Sequence, residues 1–155
     1  MIGEGWARTQ AAVDAPMLLV TAPALETFGG RASARSLGGV PIIEVHPAGA
    51  GTPGQAIIYL HGGAYTLYSA RARLTSVLPI AERTGLPVIA VDYTLAPTAR
   101  WPRAIEETVA VIAALAAEGI GSVAIYGDSA GGGLAVAVTL RLRSLGLALP
   151  KALAL

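Results

Sequence analysis

The sequence contains no cysteine. Disulfides, thiolate metal sites and thiol catalysis are therefore excluded. Charge is also sparse. Eleven basic and ten acidic side chains leave a formal net charge of +1. That balance offers no electrostatic reason to bind nucleic acid or an anionic membrane. Long apolar runs are missing too. The longest, Val109 to Ala117, is far short of the ~18 residues that a membrane span needs. Met1 to Asp14 carries Glu4, Arg8 and Asp14 and no apolar core. It does not read as a secretory signal, and the expected location is the cytoplasm. No cluster of metal-ligating side chains stands out, so neither a metal nor an organic cofactor is expected.

What is present is apolar and finely divided. Hydrophobic residues make up 54% of the 155 positions, mostly Ala, Val, Leu and Ile in short runs. Near-continuous apolar strands of this kind suit a parallel sheet covered on both faces. The length suffices for one domain with a real core.

Taken in order, residues 1 to 22 form a separate N-terminal segment. Trp6, Val13 and Met17–Leu19 could lie on short helices, either packed on the body or forming part of a cap. Residues 23–155 form the body. Ala24 to Phe28 reads as a weak first strand. Val40 to Val45 is a second strand, and Ala48 to Gly54 is a Gly/Pro turn. Ala56 to Leu60 is a third strand, expected beside the second and antiparallel to it. Ser69 is a plausible N-cap for a helix over Ala70 to Arg83. In it Leu74, Val77, Leu78 and Ala81 repeat at helical spacing, and Pro79 should kink or break it. Val88 to Val91 is a fourth strand. Pro102 opens a helix with the inner stripe Ile105, Val109, Ile112 and Ala116. Ser122 to Tyr126 is a fifth strand, Leu134 to Leu145 a helix, and Ala152 to Leu155 the start of a sixth strand. From residue 56 onward strand and helix alternate, which builds an α/β architecture with a mostly parallel sheet and helices on both faces.

Between the fifth strand and its helix stands Tyr126-Gly127-Asp128-Ser129-Ala130-Gly131-Gly132-Gly133. Gly127, Ser129 and Gly131 fit G-x-S-x-G, the nucleophile-elbow spacing. A chain that leaves a strand and turns at once into a helix bends sharply at the serine. Glycine two residues before and after removes the clashing Cβ. The serine oxygen then projects at a helix N-terminus, where backbone N–H groups can stabilise an oxyanion. Taken alone, the pattern is also compatible with a glycine-rich turn holding an incidental serine.

Two further loops follow strands: His61-Gly62-Gly63-Ala64-Tyr65 and Asp92-Tyr93-Thr94-Leu95-Ala96-Pro97. The three motifs in this order resemble the hormone-sensitive-lipase-like branch of the α/β-hydrolases, the bacterial family IV carboxylesterases, over about residues 40 to 155. That family's patterns read H-G-G-G-[FYW], D-Y-x-L-A-P and G-D-S-A-G-G. The resemblance implies the α/β-hydrolase fold and a serine carboxylesterase that cleaves short-chain esters through an acyl-enzyme. It makes Ser129 the nucleophile, and the N–H groups of Gly63, Ala64 and Ala130 the oxyanion hole. His61, Gly62 and Asp128 become loop-positioning residues, and Asp92 a residue that ties down its own turn. The chain departs from the family at Ala64, where glycine is usual and a Cβ restricts the loop, and at Thr94, where arginine is common.

A serine hydrolase also needs a base and usually an acid that orients it, following the serine in this fold. After Ser129 the sequence has no Asp, Glu or His. His46 is expected at the opposite edge of the sheet from Ser129. The chain thus resembles the N-terminal half of such an esterase, cut after about six strands. Expected partners are a small-molecule ester and either a complementary C-terminal hydrolase segment or a second copy paired through the exposed sheet edge. Alternatives are a catalytically incompetent fragment or ligand-binding remnant, and an enzyme using His61 as a makeshift base.

Overall fold

A computed structural model of the protein describes residues 2–49 and 51–155. The elements in chain order are α1 (Ile2–Thr27), β1 (Arg31–Leu37), β2 (Val40–His46), β3 (Gln55–Leu60), α2 (Leu74–Thr84), β4 (Val88–Val91), α3 (Arg103–Ala117), β5 (Ser122–Gly127), α4 (Ala130–Ser144) and β6 (Leu153–Ala154). The strands form one sheet in the order β1-β2-β4-β3-β5-β6. β1 and β2 form an antiparallel hairpin, and β2 also runs antiparallel to β4. The pairs β3–β4, β3–β5 and β5–β6 are parallel.

The apolar strands are buried on both faces, and their alternation feeds two cores. Ala56, Ile58 and Leu60 of β3 join Ile89 and Val91 of β4 and Val123 and Ile125 of β5 under α3 and α4. Ile57 and Tyr59 join Val88 and Ala90 under α2. Each such large side chain, fully buried, contributes about 1.5–3 kcal/mol. The fold is the expected α/β architecture.

Several local expectations change. Residues 2–27 are one helix rather than short pieces, despite Pro16 and Pro23 inside it. Each proline leaves one carbonyl without an N–H partner. Pro16 and Pro23 both lie on the exposed side, as do Ala12 and Leu19 four residues earlier, so water can satisfy those carbonyls. Ala24 to Thr27 is the end of that helix and not a strand. The first strand is Arg31–Leu37, whose mostly exposed side chains give no apolar signal.

β2 and β3 point in opposite directions but are not neighbours, because β4 lies between them. Helix α2 begins at Leu74 rather than Ala70. Ser69 Oγ instead accepts the N–H of Ala72 at 3.2 Å, in a turn that precedes the helix. Pro79 stays inside α2 without ending it, with Pro79 and Thr75 both exposed. The stripe on α3 closes on Leu115, and Ala116 is exposed. Helix α4 starts at once after Ser129, four residues earlier than the apolar pattern suggested. The turn expected over 48–54 and the stretch from residue 1 each include a residue outside those described.

Helix α1 packs on α2 and crosses the loops that follow β3 and β4. Trp6 Nε1 donates to the Ala96 carbonyl at 2.9 Å, and Gln10 Nε2 to the Thr66 carbonyl at 2.7 Å.

Candidate active site

The parallel register pairs Leu60 with Gly127 at the C-terminal ends of β3 and β5. The loop from His61 and the turn at Ser129 therefore leave the sheet side by side. Ser129 sits in the N-cap position of α4 with φ 52° and ψ −118°, and it is exposed. A positive φ is costly for a residue with a Cβ. Glycine makes the bend possible. A Cβ on Gly127 would overlap the Gly131 carbonyl oxygen, and one on Gly131 would overlap the Leu60 carbonyl oxygen. The turn closes through Gly131 N–H to Asp128 C=O at 2.8 Å and Gly132 N–H to Ser129 C=O at 3.0 Å.

The opposing loop is bent as sharply. Gly63 has φ 115°, Ala64 54°, Tyr65 60° and Tyr68 70°. Among the described residues, the four non-glycine residues with positive φ are Ala64, Tyr65, Tyr68 and Ser129. All of them lie on these two loops, where strain is common at functional sites. Ala64 tolerates the left-handed conformation that glycine would take freely, at a cost of about 1 kcal/mol. Gly62 packs directly on the elbow. A Cβ there would lie 2.7 Å from Asp128 Oδ2 and 3.2 Å from Ser129 Cβ. Among the described residues, no intramolecular acceptor takes the N–H of Gly63, Ala64 or Ala130.

Asp128 joins the two loops. Its Oδ1 accepts from Tyr59 Oη at 2.7 Å and from Gly62 N–H at 3.2 Å, and its Oδ2 accepts from Arg73 Nη2 at 3.1 Å. Burial, reinforced by the Asp128 carboxylate, pushes the Tyr59 phenol far above its ordinary range. Tyr59 therefore stays a donor.

His61 is fully buried. Its Nδ1 lies 2.8 Å from the Gly62 carbonyl, which can only accept. We therefore assign the proton to Nδ1. The ring stacks on Tyr93 with centroids 4.4 Å apart, and Tyr93 Oη donates to the His61 carbonyl at 2.6 Å. Burial lowers the imidazole pKa, keeping the ring neutral. Among the described residues, no hydrogen bond joins His61 to Ser129. His46 ends β2, at the edge where Val45 pairs with Val88 at the start of β4. Its Nε2 lies 3.1 Å from Glu44, across the sheet from the elbow.

Asp92 does not hold its own turn. Its Oδ1 accepts the Ala70 N–H at 2.7 Å and so ties the turn before α2 to the end of β4. Thr94, in the place where arginine was noted, donates its N–H and its hydroxyl to the buried Glu107 at 2.7 Å each, and Arg103 Nε reaches the same carboxylate at 2.7 Å. Sequence reasoning passed over Arg73, Tyr59 and Glu107. Only the i, i+4 spacing of Arg103 and Glu107 was visible as a signal. The others are set by long-range packing. Beside the elbow helix lies a mainly apolar cavity of about 370 Å³, lined by residues including Tyr65, Ala96, Trp101, Leu134 and Ala137. Among the described residues, no group of three or more His, Asp or Glu side chains could hold a metal ion. No described helix is long and apolar enough to cross a membrane.

Comparison with known proteins places this arrangement in a family. Residues 57–155 match the family described as alpha/beta hydrolase fold, and the chain belongs to it. The acetyl-hydrolase named LipR of Mycobacterium tuberculosis is 43% identical over 138 residues, covering 88% of this chain and 44% of the relative. An acetyl-hydrolase of Streptomyces hygroscopicus is 39% identical over 64% of this chain and 34% of its own. Among solved structures, an esterase from the bacterial hormone-sensitive lipase family superposes with a TM-score of 0.76 at 37% identity, covering 80% of this chain and 42% of that one. A hormone-sensitive-lipase homologue from a metagenome library gives 0.81 at 33%, covering 94% and 49%. The resemblance to the hormone-sensitive-lipase branch therefore holds. The chain spans less than half the length of these curated relatives.

Proposed function

We propose that the chain carries the nucleophile and oxyanion hole of a serine carboxylesterase acting on short-chain acyl esters, the triad acid and histidine being supplied by a complementary hydrolase segment. In this reading Ser129 Oγ attacks the ester carbonyl while the partner histidine takes its proton. The carbonyl oxygen becomes an oxyanion that accepts from the N–H groups of Gly63, Ala64 and Ala130. Each such donor is worth about 3 kcal/mol in the transition state. Collapse expels the alcohol, which takes the proton from the histidine, and water then releases the acid from Ser129. The chemistry asks for no cofactor.

The observation that carries the reading is the packing of Gly62 against Ser129, with left-handed backbone conformations in both loops. The names of the relatives, acetyl-hydrolases and esterases, support the short acyl group. Helix α1, anchored by Trp6 and Gln10 over the loops at 66 and 96, serves as part of a cap. The exposed apolar side chains Val136, Leu140, Leu153 and Leu155 on α4 and around β6 form the face for the complementary segment, or for self-association. The expected location remains the cytoplasm.

A second reading is a binding remnant that retains the oxyanion pocket. It is favoured by His61, which is buried and, among the described residues, makes no hydrogen bond to Ser129, so it offers that serine no base. Intact-mass spectrometry with an organophosphonate ester separates the two. The esterase reading expects one phosphonyl group on Ser129 when the complementary segment is present, and none after Ser129→Ala. An unlabelled serine in the assembled protein sinks it.

A further inference from the structure

We propose that Arg73 is a positioning residue for the oxyanion hole, holding the oxyanion loop against the elbow and offsetting the charge of Asp128 beside the nucleophile. The inference rests on the esterase reading above. Asp128 is the residue immediately before Ser129 and lies in contact with Gly62. An uncompensated carboxylate there opposes the negative charge that develops on the substrate oxygen. It is also the acceptor that fixes Gly62 N–H, so it cannot be dispensed with. Arg73 resolves the conflict. Its Nη2 donates to Asp128 Oδ2 at 3.1 Å, supplying a cation to the oxygen that neither Tyr59 nor Gly62 uses.

The same guanidinium reaches the far end of the loop. Its central carbon lies 5.2 Å from the ring centroid of Tyr68, close enough for a cation–π contact. Tyr68 is the last left-handed residue of the segment, with φ 70°. One side chain therefore braces the oxyanion loop at both ends, at Gly62 through Asp128 and at Tyr68 directly. Arg73 is itself fixed by its backbone, in the N-cap position of α2, where its carbonyl accepts the Ser76 N–H at 3.0 Å. The pair is about three-quarters buried on each side, so bulk solvent screens it only in part.

The test is steady-state kinetics on short acyl esters, using these residues assembled with the segment that carries the base. Rates are divided by the number of serines titrated with the phosphonate, so that misfolded protein does not count. Arg73→Gln, which keeps a donor and loses the charge, should lower kcat by about ten- to a hundredfold with little change in KM. That is less than the loss of a hole donor itself, ~10²–10³. Arg73→Lys should stay within about threefold of the parent. Adding Asp128→Asn to Arg73→Gln should recover part of the loss, because the charge to be offset is gone.

Arg73→Ala should behave as Arg73→Gln. If it fails to fold, the Gln and Lys variants decide. A kcat per titrated serine within twofold of the parent in Arg73→Gln overturns the proposal, as do equal losses in the Lys and Gln variants or a change confined to KM. A parent protein that neither turns over nor takes the label overturns the esterase reading and this inference with it. A parent that turns over beside an unaffected Arg73→Gln overturns this inference alone.

Discussion

Two arginine–carboxylate contacts in this molecule differ in a way that reverses a simple ranking by geometry. At the sheet's outer edge, Arg35 meets Glu118 through two parallel bonds of 2.8 Å, and its Nε reaches Glu44 at 2.8 Å. Beside the elbow, Arg73 meets Asp128 through one bond of 3.1 Å. The first pair has the better fork geometry. It ties the unstrained hairpin of β1 and β2 to the C-terminal end of α3, with the Arg35 and Glu118 side chains 32% and 45% exposed. The second joins two loops that contain every described non-glycine residue with positive φ. A salt bridge matters through what it restrains, and a surface pair restrains little. The region around Ser129 is strained and braced, whereas the far edge is unstrained and decorated.

The contrast breaks most sharply at the glycines of α4. Gly131 and Gly132 are adjacent in one helix, yet a Cβ on Gly131 would overlap the Leu60 carbonyl oxygen and lie 2.9 Å from that of His61, both on the β3 side. On Gly132 the nearest atom would be the Gly127 carbonyl oxygen at 3.3 Å. Gly131→Ala should therefore force backbone movement and lower stability by about 3 kcal/mol. Gly132→Ala should cost far less, because the Gly127 carbonyl oxygen need give only slightly and alanine gains about 1 kcal/mol of helix propensity over glycine. Urea denaturation of both variants checks this. Equal effects would mean that the elbow is not as tightly seated on β3 as the contact with Leu60 requires.

A smaller effect comes from His61. Its ring is buried and neutral, with its pKa lowered chiefly by burial. In the unfolded chain the imidazole takes up a proton below about pH 6.5, while the folded one resists. The unfolded state then binds more protons, so stability falls as pH drops through that value and is fully present above it. The slope from one proton is at most about 1.4 kcal/mol per pH unit. Chemical denaturation between pH 5 and 8 measures it, with His61→Asn as the comparison. The variant should be less stable overall but flatter with pH in that window. An unchanged slope would show that His61 gains its proton without cost, and would revive a role for it as a base.

How much of this was legible in the sequence follows the same division. The apolar runs of β3, β4 and β5 and the glycines at 127 and 131 announced the core and the elbow, because burial on both faces and close backbone approach leave few residue choices. The relaxed periphery was harder. β1 is held by backbone bonds to β2 and carries arginine and serine outward, so no periodicity marked it. Residues 1 to 22 read as short helical pieces, whereas α1 runs unbroken through Pro16 and Pro23, on the exposed side of the helix. The place of β4 between β2 and β3 depends on topology that neighbouring residues do not encode. The partners of Asp128 were invisible for a related reason. Tyr59, Gly62 and Arg73 come from a strand, a loop and a helix start, and none is at a spacing that signals the others.

The smallest expected effect sits where the geometry is best. Arg35 holds the Glu118 carboxyl below the usual carboxylate range, through its two hydrogen bonds above all. Glu118 is nonetheless on the surface, where solvent screens the pair. Glu118→Gln should leave the urea midpoint unchanged within error at pH 7. Any residual difference from the parent should be present above about pH 4.3, the ordinary value for a glutamate. It should vanish as the pH falls through the depressed folded value, since protonation then breaks the pair in the parent too. It should also fade in ~1 M salt, where the screening length is about 3 Å. Arg73→Gln at the elbow should change turnover per titrated serine under conditions where Glu118→Gln changes neither turnover nor stability. If Glu118→Gln were the more damaging of the two, geometry alone would rank these contacts, and the bracing of the oxyanion loop would not be what sets Arg73 apart.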